Sequence, residues 1–475
     1  MQIINVPSIK DTVLDKIVSE RLDWVEKRKG TEPLGTFEGS LRRNSRNFRE
    51  ALRSEGRGMR FIMECKKASP SKGMIRSCFD PAGIARTYTR FASAISVLAN
   101  EAFFQGKPEY VREVADAVSL PVLYKDFVVD EYQIFLARKY GASAVLLMLS
   151  ILTPDAYLAF RKTAESLGLY VLTEASTEDE TRLAVELGAD IIGINNRNLR
   201  TLKVSLDNTR NWGPLIPKDR VAVAESGLTE HHEAREMAEF ADAFLVGSSL
   251  TASGDIDLEE RKLVFGSNKV CGLTRAKDAA LAAECGAVYG GIILAEKSPR
   301  FVKDSDIDGI MAGTRESGQN LKYCAVTVNA PLDTVSDTVR KHGFSAVQLH
   351  GSETPDYIAE LRKSVPENTE IWKAVPVAGS FPEKQVGRYG SADRIVLDTK
   401  NASGFGGTGE SFGTEILRGH DLSRCFIAGG IGPENCAEAA KAGAFGLDFN
   451  SRVEERPGIK SEDALRKVFA KLRVY

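Results

Sequence analysis

General acid–base chemistry needs a proton donor and a carboxylate acceptor in one mouth, and the first half of the chain repeatedly ends short apolar runs in such residues. Glu64 and Lys66 close one run, Lys125 another and Glu174 a third; Asn195, Arg197 and Ser226 follow on the next two. Singly, each would be an ordinary solvated residue. Converging, they form a site where burial and opposite charges tune a lysine acid against a carboxylate base. The loop ASPSKG adds Ser69, a hydroxyl that can clasp a ligand. The second half offers a different pair. Cys271 in KVCGLTR and Asp398 in VLDTK are joined by Arg300, Gln348 and His350. A thiolate base facing a carboxylic acid can move a proton between adjacent carbons, provided a cation or phosphate-site dipole eases ionisation of a thiol whose ordinary pKa is about 8.5. Cys285, Cys324, Cys425 and Cys436 read as small buried hydrophobes.

Each half also ends in small residues suited to a phosphate. VAVAESG and AFLVGSS supply Ser226, Gly227, Gly247 and Ser248; CFIAGGI and GLDFNS supply Gly430, Asn450 and Ser451. Gly227 to Gly247 and Gly430 to Asn450 span the same 20 residues. Backbone N–H groups exposed at neighbouring strand ends form a cup for a dianion. In (β/α)₈ barrels that cup follows strands seven and eight.

The elements that must carry these residues are legible as apolar runs alternating with charged helical segments. Eight runs start at 61, 94, 121, 144, 170, 191, 221 and 243, and eight more at 269, 289, 323, 346, 371, 394, 425 and 446. Cys271 falls inside the first run of the second set. Near-continuous apolar runs between helices predict a parallel sheet covered on both faces. Eight units twice, each ending in a phosphate cup, favour two consecutive (β/α)₈ TIM barrels over a doubly wound open sheet. Residues 8–60 read as a polar helical extension before the first barrel. The expected domains are 1–256 and 257–475, joined through the helical stretch 250–267.

Composition narrows the function classes. Lys and Arg number 63 against 65 Asp and Glu, so no charge excess favours nucleic acid or an anionic membrane. The longest apolar runs fall far short of a membrane span, and the N-terminal stretch lacks the features of a signal peptide. Seven cysteines with no CxxC pair read as reduced thiols of a cytoplasmic protein, and the 5 scattered histidines signal no metal site. No dinucleotide fingerprint is present, and no cofactor is expected.

ECKKASPSKG, the KDF of 125–127, LTEAS, GINNRNL, AESGL and LVGSS together resemble indole-3-glycerol-phosphate synthase across residues 10–255. The resemblance implies ring closure and decarboxylation of 1-(2-carboxyphenylamino)-1-deoxyribulose 5-phosphate. It makes Lys125 the general acid and Glu174 the general base. Glu64 and Asn195 would bond the reacting sugar hydroxyls, Lys66 the anionic end of the substrate, and Arg197 the carboxylate or the hydrogen-bond frame. Ser226, Gly227, Gly247 and Ser248 would hold phosphate. KVCGLTR, SPRFV, AVQLHG, VLDTK, the GGTG loop at 406–409, AGGIGPEN and DFNS resemble phosphoribosylanthranilate isomerase over 268–475. That implies an Amadori rearrangement with Cys271 as base, Asp398 as the acid that opens the ring, and Arg300 on the anthranilate carboxylate. Gly430, Asn450 and Ser451 would hold phosphate, and His350 would orient its neighbours. Arg452 departs from the small residue usual after DFNS, so its side chain lies inward on the phosphate or outward. The two reactions are consecutive, and a monomer with two independent sites for phosphorylated small molecules is expected. A Schiff-base aldolase with Lys125 as nucleophile, and a second barrel that binds without catalysis, are the rival readings.

Overall fold

Every apolar run becomes a strand, and the strands close into two barrels. The computed structural model describes residues 3–5, 9–10, 12–53, 58–70, 72–198, 201–399 and 413–473. The chain divides into two compact units, Met1–Glu260 and Arg261–Tyr475.

In the first unit the strands are β1 (Arg60–Cys65), β2 (Ala94–Leu98), β3 (Val122–Lys125), β4 (Ala144–Met148), β5 (Tyr170–Ala175), β6 (Ile191–Asn195), β7 (Val221–Glu225) and β8 (Ala243–Val246). All pairings are parallel and sequential, and β1 pairs with both β2 and β8, which closes the barrel. The strands are buried almost throughout because helices cover the outside and side chains fill the inside. The extension forms helix α1 (Val13–Thr31), which buries Leu14, Ile17, Val18, Arg21 and Val25, one helical face. Arg21 is fully buried, 3.3 Å from Asp126 and stacked 4.0 Å from the Trp24 ring centroid. The carboxylate after Lys125 thus anchors the extension. Loop chemistry starts the helices: Thr153 caps the one opening at Pro154, and Asp80 the one opening at Pro81.

In the second unit the strands are β9 (Lys269–Val270), β10 (Tyr289–Ile293), β11 (Lys322–Thr327), β12 (Ala346–Leu349), β13 (Glu370–Val377), β14 (Arg394–Thr399), β15 (Cys425–Ile427) and β16 (Gly446–Phe449). They close in the same order, β9 pairing with β10 and β16. Trp372 is fully buried and meets Tyr289 at 4.9 Å and Phe426 at 4.7 Å between ring centroids. The expected placement of Cys271 inside the first strand is corrected. The strand ends at Val270, because Gly272 takes φ 71° and turns the chain out of the ladder. Beyond it the Cys271 N–H donates to the Phe449 carbonyl at 2.8 Å and the Leu273 N–H to the Gly291 carbonyl at 2.9 Å. After β16 comes a hairpin of β17 (Glu454–Arg456) and β18 (Ile459–Lys460).

Candidate active sites

In the first unit, strand register brings the expected residues into one layer. Glu64 lies beside Ser96, Lys125 beside Leu98, Glu174 beside Met148 and Gly193, and Asn195 beside Glu225. Lys125 Nζ is 2.8 Å from Glu225 Oε2 and 3.9 Å from Glu174 Oε2. Asn195 Nδ2 donates to Glu174 Oε1 at 3.0 Å, and Asn195 Oδ1 accepts from the Arg197 N–H at 2.9 Å. Lys66 Nζ lies 2.6 Å from Glu64 Oε1, while Ser96 Oγ donates to Glu64 Oε2 at 3.3 Å.

Burial decides the electrostatics. Removal from water works against the Lys125 ammonium, yet Glu225, Glu174 and Glu64 together hold it above its ordinary range. Glu174 is pushed up to about 7, first by burial and then by the Glu225 carboxylate, with Lys125 and Asn195 opposing. Burial also raises Glu64, but Lys66 and Lys125 outweigh it and leave that carboxyl below its usual value. An ammonium between carboxylates, one of them titrating near neutrality, is an arrangement that can transfer a proton.

The cup of this unit uses positive φ at two successive residues, Ser226 at 67° and Gly227 at 93°. Gly247 lets Glu64 lie across it, since a Cβ there would come 2.6 Å from Glu64 Oε1. Ser248 opens the short helix Ser248–Ala252 beyond it. Ser69 is buried in a two-residue pairing, Ala68–Ser69 with Gly73–Met74, and its hydroxyl accepts from the Lys72 N–H at 3.3 Å. Arg197 folds over its own loop, donating to the Leu202 carbonyl at 3.1 Å. A separate cavity of about 470 Å³, lined by Arg43, Arg46, Arg161 and Tyr170, opens at the N-terminal end of β5, away from Lys125, and takes no part in this site.

In the second unit, Cys271, Arg300, Gln348, His350, Asp398, Gly430, Asn450 and Ser451 line one cavity of about 300 Å³. Beneath it Lys269, fully buried, donates 2.7 Å bonds to Asp448 Oδ2 and Gln348 Oε1. Because the ammonium can only donate, the Gln348 amide nitrogen must face His350 Nδ1, 2.9 Å away. The proton of His350 then sits on Nε2, 3.3 Å from Asp398 Oδ2. A hydrogen-bonded chain therefore runs from Asp448 through Lys269 and Gln348 to His350, fixes the His350 tautomer and sets its Nε2 against Asp398. Arg300 is gripped by Glu454, with contacts of 3.0, 3.0 and 2.7 Å. Gly429 and Gly430 take φ 81° and 65°, forming the second cup opposite Asn450. The GGTG stretch at 406–409 lies outside the described residues.

Residues 14–263 match the family model for indole-3-glycerol phosphate synthase, and residues 268–471 the one for N-(5'-phosphoribosyl)anthranilate isomerase. Among curated relatives, the tryptophan biosynthesis protein TrpCF of Vibrio cholerae is 48% identical over 463 residues, covering 98% of this chain and 96% of that protein. The chain belongs to the TrpCF family. Relatives of the same description from Yersinia pestis and Salmonella typhi are 46% and 44% identical, each over 98% of this chain and 95% and 100% of their own length. As in the TrpCF family, the chain is a bifunctional enzyme. Its first half is the decarboxylating synthase and its second half the isomerase.

Several residues that the structure places in the two sites are not among those expected from the sequence. Glu225 stands in AESGL beside the serine and glycine suited to a phosphate. The period of two along a strand would have found it, since Glu225 faces inward with Val223 and Val221. The same alternation points to Lys269 and Asp448, two residues before Cys271 and Asn450. Glu454 and Lys460 carry no such signal, because a hairpin and not a barrel strand delivers them. Arg452 is exposed, and its Cβ lies over Gly432, where an added methyl would come within 2.6 Å.

Proposed function

We propose that Cys271 and Asp398 carry the isomerisation and Lys125 and Glu174 the ring closure. In the isomerase half, Asp398 donates a proton to the furanose ring oxygen of N-(5-phosphoribosyl)anthranilate, and the ring opens to an imine. The Cys271 thiolate removes the C2 proton, giving an enolamine that ketonises to 1-(2-carboxyphenylamino)-1-deoxyribulose 5-phosphate. His350, holding Asp398 through Nε2, orients the acid. Arg300 meets the anthranilate carboxylate; Gln348 positions His350; Gly430, Asn450 and Ser451 hold the phosphate.

In the synthase half, Lys125 protonates the ketone oxygen as the anthranilate ring carbon attacks, and carbon dioxide leaves. Glu174 then accepts the ring proton and passes it to the departing hydroxyl, which leaves as water and aromatises the indole. Glu64 and Asn195 bond the sugar hydroxyls, and Lys66 and Arg197 take the anionic end. Ser69, Ser226, Gly227, Gly247 and Ser248 enclose the phosphate end.

The observation that carries this reading is Lys125 held as an ammonium by Glu225 at 2.8 Å. A Schiff-base nucleophile must be a neutral amine, so the geometry favours the acid over the aldolase reading. Borohydride added with substrate is expected to leave Lys125 unmodified; a reduced adduct on its peptide would reverse the choice.

The pH dependence follows from Glu174. A base must be ionised, so synthase kcat/KM falls as pH drops through about 7. Glu225→Gln removes the neighbouring carboxylate that raises Glu174, and the acid limb of the residual activity moves to lower pH. A limb that stays in place in that variant would detach Glu174 from the profile.

Gly193 tests the crowding around the same pair. A Cβ there would collide with Glu225 Oε1, a buried oxygen without a hydrogen-bond partner among the described residues. Gly193→Ala displaces Glu225 from Lys125 and lowers synthase kcat/KM by about tenfold or more. The isomerase rate of the same protein serves as the internal reference.

Each barrel closes its own sheet and leaves no free edge, which supports a monomer; sedimentation of the purified chain measures this. The cysteines among the described residues are free thiols, which supports a reducing, cytoplasmic location.

A further inference from the structure

The isomerase base has to ionise inside a dry cavity, and the charges enclosing it are unevenly balanced. Lys269, Lys460 and Arg300 bring three cations to the buried side of Cys271, against the carboxylates of Asp448 and Glu454. With a neutral thiol this group carries one excess positive charge; with a thiolate it closes to zero. On the far wall stand Asp398 and His350, at the rim the exposed Lys297, and behind the sulfur the buried thiol of Cys324 on β11.

Both lysines are placed by geometry. A Cβ built on Gly291 would lie 2.7 Å from Cys271 Sγ and 2.8 Å from Lys269 Cε, so sulfur and lysine share one small space. Lys460 Nζ lies 2.8 Å from Glu454 Oε1 and 3.3 Å from Asn450 Oδ1, and that Asn450 oxygen lies over Gly272, the residue after the cysteine. The hairpin is tied to the segment following Cys271: Thr274 Oγ1 donates to the Gly458 carbonyl at 2.5 Å, and the Lys460 N–H donates to Asp278 at 3.2 Å.

We propose that Lys460, delivered by the hairpin after the second phosphate cup and held behind Asn450, is a positioning residue for the isomerisation: with Lys269 it supplies the positive charge against which the Cys271 thiolate forms. The inference rests on Cys271 being the group that removes the C2 proton. Burial pushes the Cys271 thiol up; Lys269 and Lys460 both pull it back, while Asp448 adds to the rise. Glu454 divides its charge between Lys460 and Arg300 and so moderates the cations, one of which is the arginine offered to the substrate.

The test compares the full-length wild type with Lys460→Met, Lys460→Arg, Glu454→Gln and Cys271→Ala. Isomerase kcat/KM is followed against pH, and alkylation by iodoacetamide is read at the Cys271 peptide by mass spectrometry. Lys460→Met should raise the acid limb and the alkylation midpoint by about one pH unit, with Lys460→Arg returning both. Glu454→Gln should move both midpoints the other way, because it removes a carboxylate and keeps the ammonium. Slower turnover with unmoved midpoints in Lys460→Met would overturn the proposal and leave Lys460 a packing role. If Lys460→Met does not fold, Glu454→Gln decides, and an unmoved or raised midpoint there overturns it. Cys271→Ala separates the two layers of the argument. Isomerase activity persisting in it removes the base assignment itself, whereas a dead Cys271→Ala with unmoved midpoints elsewhere removes only the role of Lys460.

Discussion

Lys125→Ala is expected to stop ring closure almost completely, lowering synthase kcat by about 10²–10⁴-fold, the usual contribution of a positioned acid. Isomerase activity persists in the same protein. Supplied with N-(5-phosphoribosyl)anthranilate, the variant therefore accumulates the aminoketose phosphate, whose fluorescence rises and stays high. The physical loss is double. The ammonium that donates the proton is gone, and Glu174 and Glu225 are left buried without the cation standing between them. Two carboxylates in one dry site cannot both stay ionised, so one takes up a proton and the base is lost with the acid. Glu174→Gln removes less, because Lys125 keeps Glu225 as its partner. A Lys125→Ala protein that still consumes the intermediate at near the wild-type rate would place the acid elsewhere in the layer, with Lys66 the next candidate.

Cys271→Ala is expected to abolish isomerisation, again by about 10²–10⁴-fold, and to leave ring closure unchanged when the aminoketose phosphate is supplied directly. Cys271→Ser should do little better, since a hydroxyl ionises far less readily than a thiol in the same surroundings. The fold tolerates the change: one buried sulfur is removed, at a cost of about 1 kcal/mol. Lys269 then donates to Asp448 and Gln348 as before, and the Gln348–His350 bond and the His350–Asp398 contact stay intact. The acid side of the site is thereby separated from the base side, and ring opening without isomerisation is what such a protein could still promote. Loss of both activities in Cys271→Ala would mean that folding of one unit depends on the other.

The largest surprises lie in how the candidate residues are held. Arg300 already has a carboxylate partner in Glu454, with the geometry a substrate carboxylate would adopt. Lys125 likewise has Glu225. In each half the group meant for the substrate is presented with an internal counter-charge, so neither cation waits unpaired in a low-dielectric mouth.

Strand number, barrel closure and the placing of Glu64, Lys125, Glu174, Asn195 and Asp398 at strand ends were readable from the chain, because alternation of apolar runs with helices and the repetition of small-residue cups are local patterns. Cys271 was expected inside a strand because the run from Val270 to Leu273 stays apolar, while the positive φ of Gly272 ends the pairing at Val270. Partnership was not readable. That Lys125 meets Glu225 100 residues away follows from barrel closure, that Arg21 meets Asp126 from the docking of the N-terminal helix, and that Arg300 meets Glu454 154 residues on from the hairpin, none of them from spacing. The sequence by itself determined which side chains stand at the strand ends and which chemistry they can do. Only the tertiary structure decided which charges face one another out of water, and burial together with those neighbours sets whether a lysine donates, a carboxylate accepts or a thiol ionises.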